Sequence, residues 1–286
     1  MKKNNIRVIE RALLKKDLGE KRKKVKMVAL VAPSFVSTFD YPQFINQLRE
    51  LGFEKVVELT FGAKMVNREY HKFLEKNKKG LFISTTCPGI TSVIKQKYPQ
   101  YVKNLIRIDS PMIAMGKICK KVYPGCKTCF ISPCNYKKIE AEDSSYVDYV
   151  IDYFQLAELF KKYKIKPKKN HIHFDKFYND YTKIYPISGG LSKTAHLRGV
   201  LKPGEEKTID GIAEVMKFLN NPEPCVRFLD CTFCLGGCLG GPFTAKIPIA
   251  EKNKKLMKYM RIAKKESIPE GRAGLVEKAK GIRFRN

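Results

Sequence analysis

The chain has 286 residues, is 43% hydrophobic and has a mean hydropathy of −0.34. That suffices for a sizeable core or two compact lobes, and no apolar stretch approaches the roughly 20 residues of a membrane span. The formal charge of +28 at pH 7 draws anions in general, but the lysines are spread along the whole chain without a helix-turn-helix, zinc-finger or RNA-binding signature, which disfavours nucleic acid as a partner.

The basic lead over residues 1–26 predicts a helix with a frayed end. No signal-peptide pattern follows it, so the chain reads as cytoplasmic. Met27–Ala32 is a short apolar run closed by Pro33 and predicts a buried strand. Tyr41–Leu51 carries Phe44, Ile45, Leu48 and Leu51 at helical spacing, and Gly52 ends it. The pattern continues with a strand at 55–59, a helix at 63–74, a strand at 81–84, helices at 90–98 and 111–122, and a strand at 127–132. Strands alternating with helices predict an α/β fold with a mainly parallel sheet covered on both faces. The second half is less regular, with a strand at 146–151, a helix at 155–163, loop over 164–185, helices at 191–200 and 209–219, and a strand at 226–230. A lysine-rich helix and a basic tail fill the C-terminal segment.

Nine cysteines lie at 87, 119, 126, 129, 134, 225, 231, 234 and 238, and the first 86 and last 48 residues contain none. Without a secretory signal such clustering points to metal or redox chemistry, not to a disulfide framework. Cys87 and Cys134 each follow a predicted strand by two or three residues, and Cys231 and Cys234 follow the strand ending at Asp230. Functional residues of open α/β sheets gather at such strand ends.

The strongest local signal is Cys231-Thr-Phe-Cys234-Leu-Gly-Gly-Cys238-Leu-Gly-Gly-Pro242. Its glycines let backbone pass close to a bulky inorganic group. Thiolates with few histidines favour iron–sulfur over zinc, although buried free thiols in a glycine-rich turn would read the same way. Thr85-Thr86-Cys87-Pro88-Gly89 places a thiol just ahead of a helix N-terminus, where amide dipoles stabilise the thiolate. Pro133-Cys134-Asn135-Tyr136-Lys137-Lys138-Ile139-Glu140 follows a cysteine with two lysines and a carboxylate; alone it would pass for a solvated charged turn.

Together and in this order, the three motifs resemble the catalytic domain of iron-only ([FeFe]) hydrogenases, which carries T-S-C-C-P-G, P-C-T-A-K-K-x-E and C-P-G-G-C-x-x-G-G. Thr60-Phe61-Gly62-Ala63, Ser110-Pro111 and Ser188-Gly189-Gly190 add smaller matches, and the resemblance covers residues 27–245. It implies Cys87, Cys134, Cys234 and Cys238 as ligands of a [4Fe–4S] cluster, with Cys238 bridging to a two-iron subsite that carries CO and cyanide, together the H-cluster. It implies Lys137 as the lysine that contacts a cyanide, and Glu140 as the carboxylate that follows. It also implies two α/β lobes, here 27–140 and 141–250, with the metal site in the cleft between them, followed by a basic helix and tail over 251–286.

The sequence departs from the family where protons move. The residue before the first ligand, a proton-donating cysteine in the family, is Thr86, and a hydroxyl is a far poorer acid than a thiol. The helix after Thr60-Phe61-Gly62-Ala63 keeps only Glu69 of the expected carboxylates, and Ser132 and Thr232 stand where methionines are expected. These departures resemble the hydrogen-sensing branch of the family. The expected function is reversible oxidation of H₂, or H₂ sensing with slow turnover, with electrons exchanged through a ferredoxin-like protein and the two-iron subsite installed by maturation proteins. The alternative is a non-catalytic [4Fe–4S] carrier or assembly protein, which needs the same four cysteines. Cys119, Cys126 and Cys129 read as small buried hydrophobes, with a second metal site as the alternative. Cys225 and Cys231 have no assigned role, and His71, His171, His173 and His196 form no ligand set.

Overall fold

The computed structural model describes residues 5–14, 26–168, 172–266 and 268–285. Its strands in chain order are β1 (Met27–Val31), β2 (Lys55–Glu58), β3 (Phe82–Ile83), β4 (Lys127–Ser132), β5 (Tyr149–Asp152), β6 (Glu206–Asp210) and β7 (Phe228–Thr232). The helices are α1 (Ile6–Leu14), α2 (Gln43–Glu50), α3 (Thr60–Lys76), α4 (Pro88–Lys97), α5 (Pro111–Val122), α6 (Tyr136–Glu142), α7 (Tyr153–Lys162), α8 (Gly190–Thr194), α9 (Ile212–Asn220) and α10 (Ile249–Lys264).

Two sheets form, and every pairing between their strands is parallel. One has the order β2-β1-β4-β5 and the other β3-β7-β6. The expected α/β fold of parallel sheets flanked by helices is what the chain adopts. Strand membership does not follow residue number across 140/141: β3 joins the later strands β6 and β7, and β5 joins the earlier β4.

Burial explains β1. All five of its residues are buried, Val28 and Leu30 in one apolar cluster and Met27, Ala29 and Val31 in the other. Alternation across a strand with both faces covered leaves no polar position, which is why the strand is continuously apolar. α3 and α5 cover one face, α2 and α7 the other. Ser110 caps α5 by accepting a hydrogen bond from the Ile113 amide, while Asp152 and Gln155 form a reciprocal capping box at the start of α7.

The second half differs from expectation in three places. The helix predicted at 191–200 is the short α8, since the chain turns at His196, whose φ is +55°. The helix predicted at 209–219 starts at Ile212, because Glu206–Asp210 pairs with β7 as an edge strand whose residues are none of them buried. The strand predicted at 226–230 runs instead over 228–232. Cys231 therefore lies inside β7, not in the loop after it.

Candidate metal centre

Cys87, Cys134, Cys234 and Cys238 come from three loops that meet between the two sheets. Cys134 follows β4; Cys87 ends the segment after β3 and is the N-cap of α4; Cys234 and Cys238 follow β7. Three of the four thus come from the β3-β7-β6 side. Each lies beyond the carboxyl end of a parallel strand, as the strand-end argument requires.

Backbone contacts hold Cys134, Cys87 and Cys238 in place. Ser132 Oγ accepts from the Cys134 amide at 3.1 Å and donates to the Cys134 carbonyl at 2.8 Å. The amides of Tyr136 and Lys137 turn toward the Cys134 sulfur. The Phe233 amide donates to Cys87 Sγ at 3.4 Å. The Cys238 amide donates to the Pro186 carbonyl at 2.8 Å. Gly237 has φ +66°, and a Cβ there would sit 2.5 Å from that same carbonyl oxygen. A side chain at 237 would thus push apart the two segments that carry Cys238 and the Pro186 turn.

Cys87, Cys134 and Cys238 line a partly open cavity of about 100 Å³ together with Thr86, Lys137 and mainly apolar groups such as Leu59, Met112 and Phe130. Cys238 presents surface that a water-sized molecule could touch, yet dense protein surrounds its thiol. Both observations hold because that surface faces the cavity. Cys234 stands outside the cavity lining, next to Leu235, which is 75% exposed.

The thiols are poor hosts for bare negative charge. Burial pushes the Cys134 thiol up, the Cys234 thiol to about 12 and the Cys238 thiol higher still. Charge on the other cysteines raises each further: Cys238 feels Cys87, Cys134 and Cys234, and Cys234 feels Cys134 and Cys87. Lys137 opposes this at both Cys134 and Cys238. Four mutually repelling, partly dry thiols call for cationic metal among them. Among the described residues no three His, Cys, Asp or Glu side chains gather closely enough for a single ion, and Cys234 stands beside the cavity that the other three thiols line. The donor set, the apolar-lined cavity and the close-packed glycine turn fit an iron–sulfur group.

Lys137 Nζ donates to the Thr86 carbonyl at 3.2 Å and to Glu140 Oε2 at 2.6 Å. Lys138 turns away, to Asp152 at 2.6 Å. Glu69 pairs with Lys72 and Arg285 and does not line the cavity. The structure also brings in Phe233 and Tyr136, whose rings lie 4.9 Å apart, and both would meet a Cβ on Gly89. Sequence reading missed both; an aromatic residue beside each cysteine motif was the available signal.

The remaining cysteines separate from the site. Cys119 and Cys126 pack on one face of the β2-β1-β4-β5 sheet, where Cys126 Sγ donates to the Cys119 carbonyl at 3.6 Å, and Cys129 packs on the opposite face. A sheet between them rules out a shared metal and overturns the alternative of a second site there. Cys231 is buried in β7, and Cys225 is exposed. His71, His173 and His196 lie apart from the thiols, and His171 falls outside the described residues.

The family model "Iron only hydrogenase large subunit, C-terminal domain" matches residues 25–242. Iron hydrogenase 1 of Clostridium pasteurianum is 25% identical over 250 residues, which cover 68% of this chain and 44% of that protein; the chain thus spans less than half the relative's length. Among solved structures, an [FeFe]-hydrogenase described for the stepwise assembly of its H-cluster superposes with a TM-score of 0.73 at 15% identity, covering 97% of this chain and 94% of that one. A point variant of the [FeFe]-hydrogenase from Chlamydomonas reinhardtii gives 0.71 at the same identity and coverage. At that identity the superpositions speak for the fold.

Proposed function

The chain belongs to the family formed by the C-terminal domain of iron-only hydrogenase large subunits, and from that premise we propose that it holds an H-cluster through Cys87, Cys134, Cys234 and Cys238 and reacts with H₂ slowly or as a sensor. The observation that carries this reading is the meeting of four thiols from three loops beside an apolar-lined cavity, with Lys137 at its wall. When bound, a [4Fe–4S] cluster joined to a two-iron subsite supplies the reversible cleavage of H₂ into protons and electrons.

The residues of the chain set how that chemistry is served. Lys137, held between the Thr86 carbonyl and Glu140, keeps a positive charge at the cavity wall, suited to an anionic diatomic ligand. The apolar lining lowers the local dielectric and strengthens that electrostatic contact. Thr86 lines the cavity where a stronger acid would speed proton delivery, which supports slow turnover or sensing. Cys234, beside the exposed Leu235, marks the edge where electrons leave or enter, and the chain's excess positive charge favours an acidic, ferredoxin-like partner. Installation of the two-iron subsite calls for maturation proteins. Among the described residues no helix is long and apolar enough to cross a membrane; the cytoplasm is the proposed location.

An infrared spectrum of the protein, co-expressed with hydrogenase maturation enzymes and purified without oxygen, tests the reading. Carbonyl and cyanide stretching bands are expected. A preparation with about four irons per chain and no such bands would support the carrier reading, which the Thr86 position favours.

A further inference from the structure

A buried line of protonatable groups links the thiol-lined cavity to a separate surface cleft. Thr60 and Thr182 line the inner cavity; Asp180 and Thr182 line an outer cleft of about 600 Å³. Between them, Thr60 Oγ1 donates to Glu58 Oε2 at 3.2 Å. Lys183 Nζ donates to the same Glu58 oxygen at 2.5 Å and lies 3.6 Å from Asp180 Oδ1. Tyr259 donates to the other Glu58 oxygen at 2.6 Å and accepts from Lys183 at 2.9 Å. Lys183 is 0% exposed and Glu58 1%, whereas the Asp180 side chain is 44% exposed.

This arrangement is a poor way to stabilise a fold. Withdrawing both charges of an ion pair from water costs about what their attraction returns, and an apolar pair of equal volume would serve as well. The pair sits at the carboxyl end of β2, against the rings of Phe174 and Tyr259; neither Glu58 nor Lys183 lines the cavity, whereas Thr60 and Thr182 beside them do. Among the described residues Asp180 Oδ1 accepts no hydrogen bond, which leaves it able to close on the Lys183 ammonium.

We propose that Asp180, Lys183, Glu58 and Thr60 form a proton relay between the outer cleft and the inner cavity; its use in H₂ chemistry rests on the functional reading above. For a proton moving inward, Lys183 Nζ gives a hydrogen to Glu58 Oε2, leaving an amine and a carboxylic acid. The Thr60 hydroxyl, which donates to Glu58 Oε2 at rest, rotates to give its hydrogen to a water molecule in the cavity and takes the acid hydrogen of Glu58 in exchange. Asp180 takes a proton from solvent in the cleft on its outer oxygen, since Oδ1 itself is buried, and its carboxyl turns to return that hydrogen to the Lys183 amine. One proton enters from solvent, one leaves into the cavity, and every group regains its starting charge. The reverse order carries a proton out. The relay bypasses Thr86, and Glu69 takes no part in it. A lysine suits the middle position because an ammonium can give up its proton in a dry site, which an arginine cannot.

Two readouts test the relay. The first is the exchange of the Lys183 ammonium hydrogens with water, followed by NMR in the ¹⁵N-lysine-labelled full chain expressed without maturation enzymes. Asp180→Asn, a change at a half-exposed side chain, is expected to slow this exchange about tenfold or more. The second is H₂/D₂O isotope exchange by the matured protein, which needs no electron partner. Asp180→Asn and Lys183→Arg are each expected to lower it about 10²-fold, with carbonyl and cyanide bands unchanged. Exchange of the ammonium hydrogens at the wild-type rate in Asp180→Asn would overturn the relay, as would isotope exchange at the wild-type rate in Asp180→Asn when those bands are present. If wild type itself lacks the bands, the functional reading fails, and the ammonium exchange alone decides the relay. Should Lys183→Arg not fold, Asp180→Asn carries both measurements.

Discussion

The two sheets meet the same cavity on unequal terms. The β2-β1-β4-β5 sheet is a packed layer with apolar clusters on both faces, and it contributes one thiol, Cys134, and the buried Glu58. The β3-β7-β6 sheet is smaller, begins with a two-residue strand, and ends in the glycine-rich turn that holds Cys234 and Cys238. The first sheet gives a rigid wall; the second gives backbone that approaches closely. A cluster site of this kind needs both, because a wall alone cannot wrap an inorganic group and a glycine turn alone cannot hold its shape.

The largest effect on stability should come from the wall. Glu58→Gln leaves the Lys183 ammonium buried without its carboxylate and should cost about 3–5 kcal/mol in denaturant unfolding. Glu58→Gln with Lys183→Met removes both charges and should recover most of that loss. If the double variant is as unstable as the single one, the pair stabilises the wall and the comparison between the sheets changes.

On the other side, Gly237→Ala forces a Cβ against the Pro186 carbonyl at a left-handed φ and should cost about 1–3 kcal/mol. Gly199→Ala, with a similar φ of +84° but open space around it, should cost about 1 kcal/mol. Equal losses in thermal unfolding would mean that the close approach at Gly237 contributes nothing beyond its backbone conformation.

Asp230 in β7 gives a pH test of the same sheet. Burial holds its carboxyl up at about 6, above the ordinary 3.8, so the native chain binds this proton more tightly than the unfolded chain. The contribution is fully present below about pH 4 and is lost as pH rises to about 6. Asp230→Asn should therefore stabilise the protein by about 3 kcal/mol at pH 7 and give little gain at pH 4. A gain that is the same at both pH values would show that the carboxyl titrates normally. The smallest effect belongs to the surface: Lys207→Ala, which breaks the half-exposed ion pair with Glu223, should change stability by less than about 1 kcal/mol.

Sequence made the wall legible and the turn only partly so. β1, α5 and β4 were readable because continuous apolar runs and a Ser-Pro start leave few alternatives. β6 was not, since an edge strand reading Glu-Lys-Thr-Ile-Asp has no face whose burial would mark it. The four thiols were legible through their motifs, while Cys231 was misplaced because β7 runs two residues past Asp230. The Glu58–Lys183 pair was invisible: its members are 125 residues apart in sequence and meet only through the fold.

The central claim is that position, not residue type, separates four cysteines from the rest. Anaerobic reconstitution with iron and sulfide, followed by iron analysis and visible absorption, tests it most directly. Wild type, Cys129→Ser and Cys231→Ser should each hold about four irons per chain, and Cys87→Ser, Cys134→Ser, Cys234→Ser and Cys238→Ser should each lose the cluster or hold it weakly. Full iron retention in Cys234→Ser and Cys238→Ser, or its loss in Cys129→Ser with the fold intact, would contradict the account.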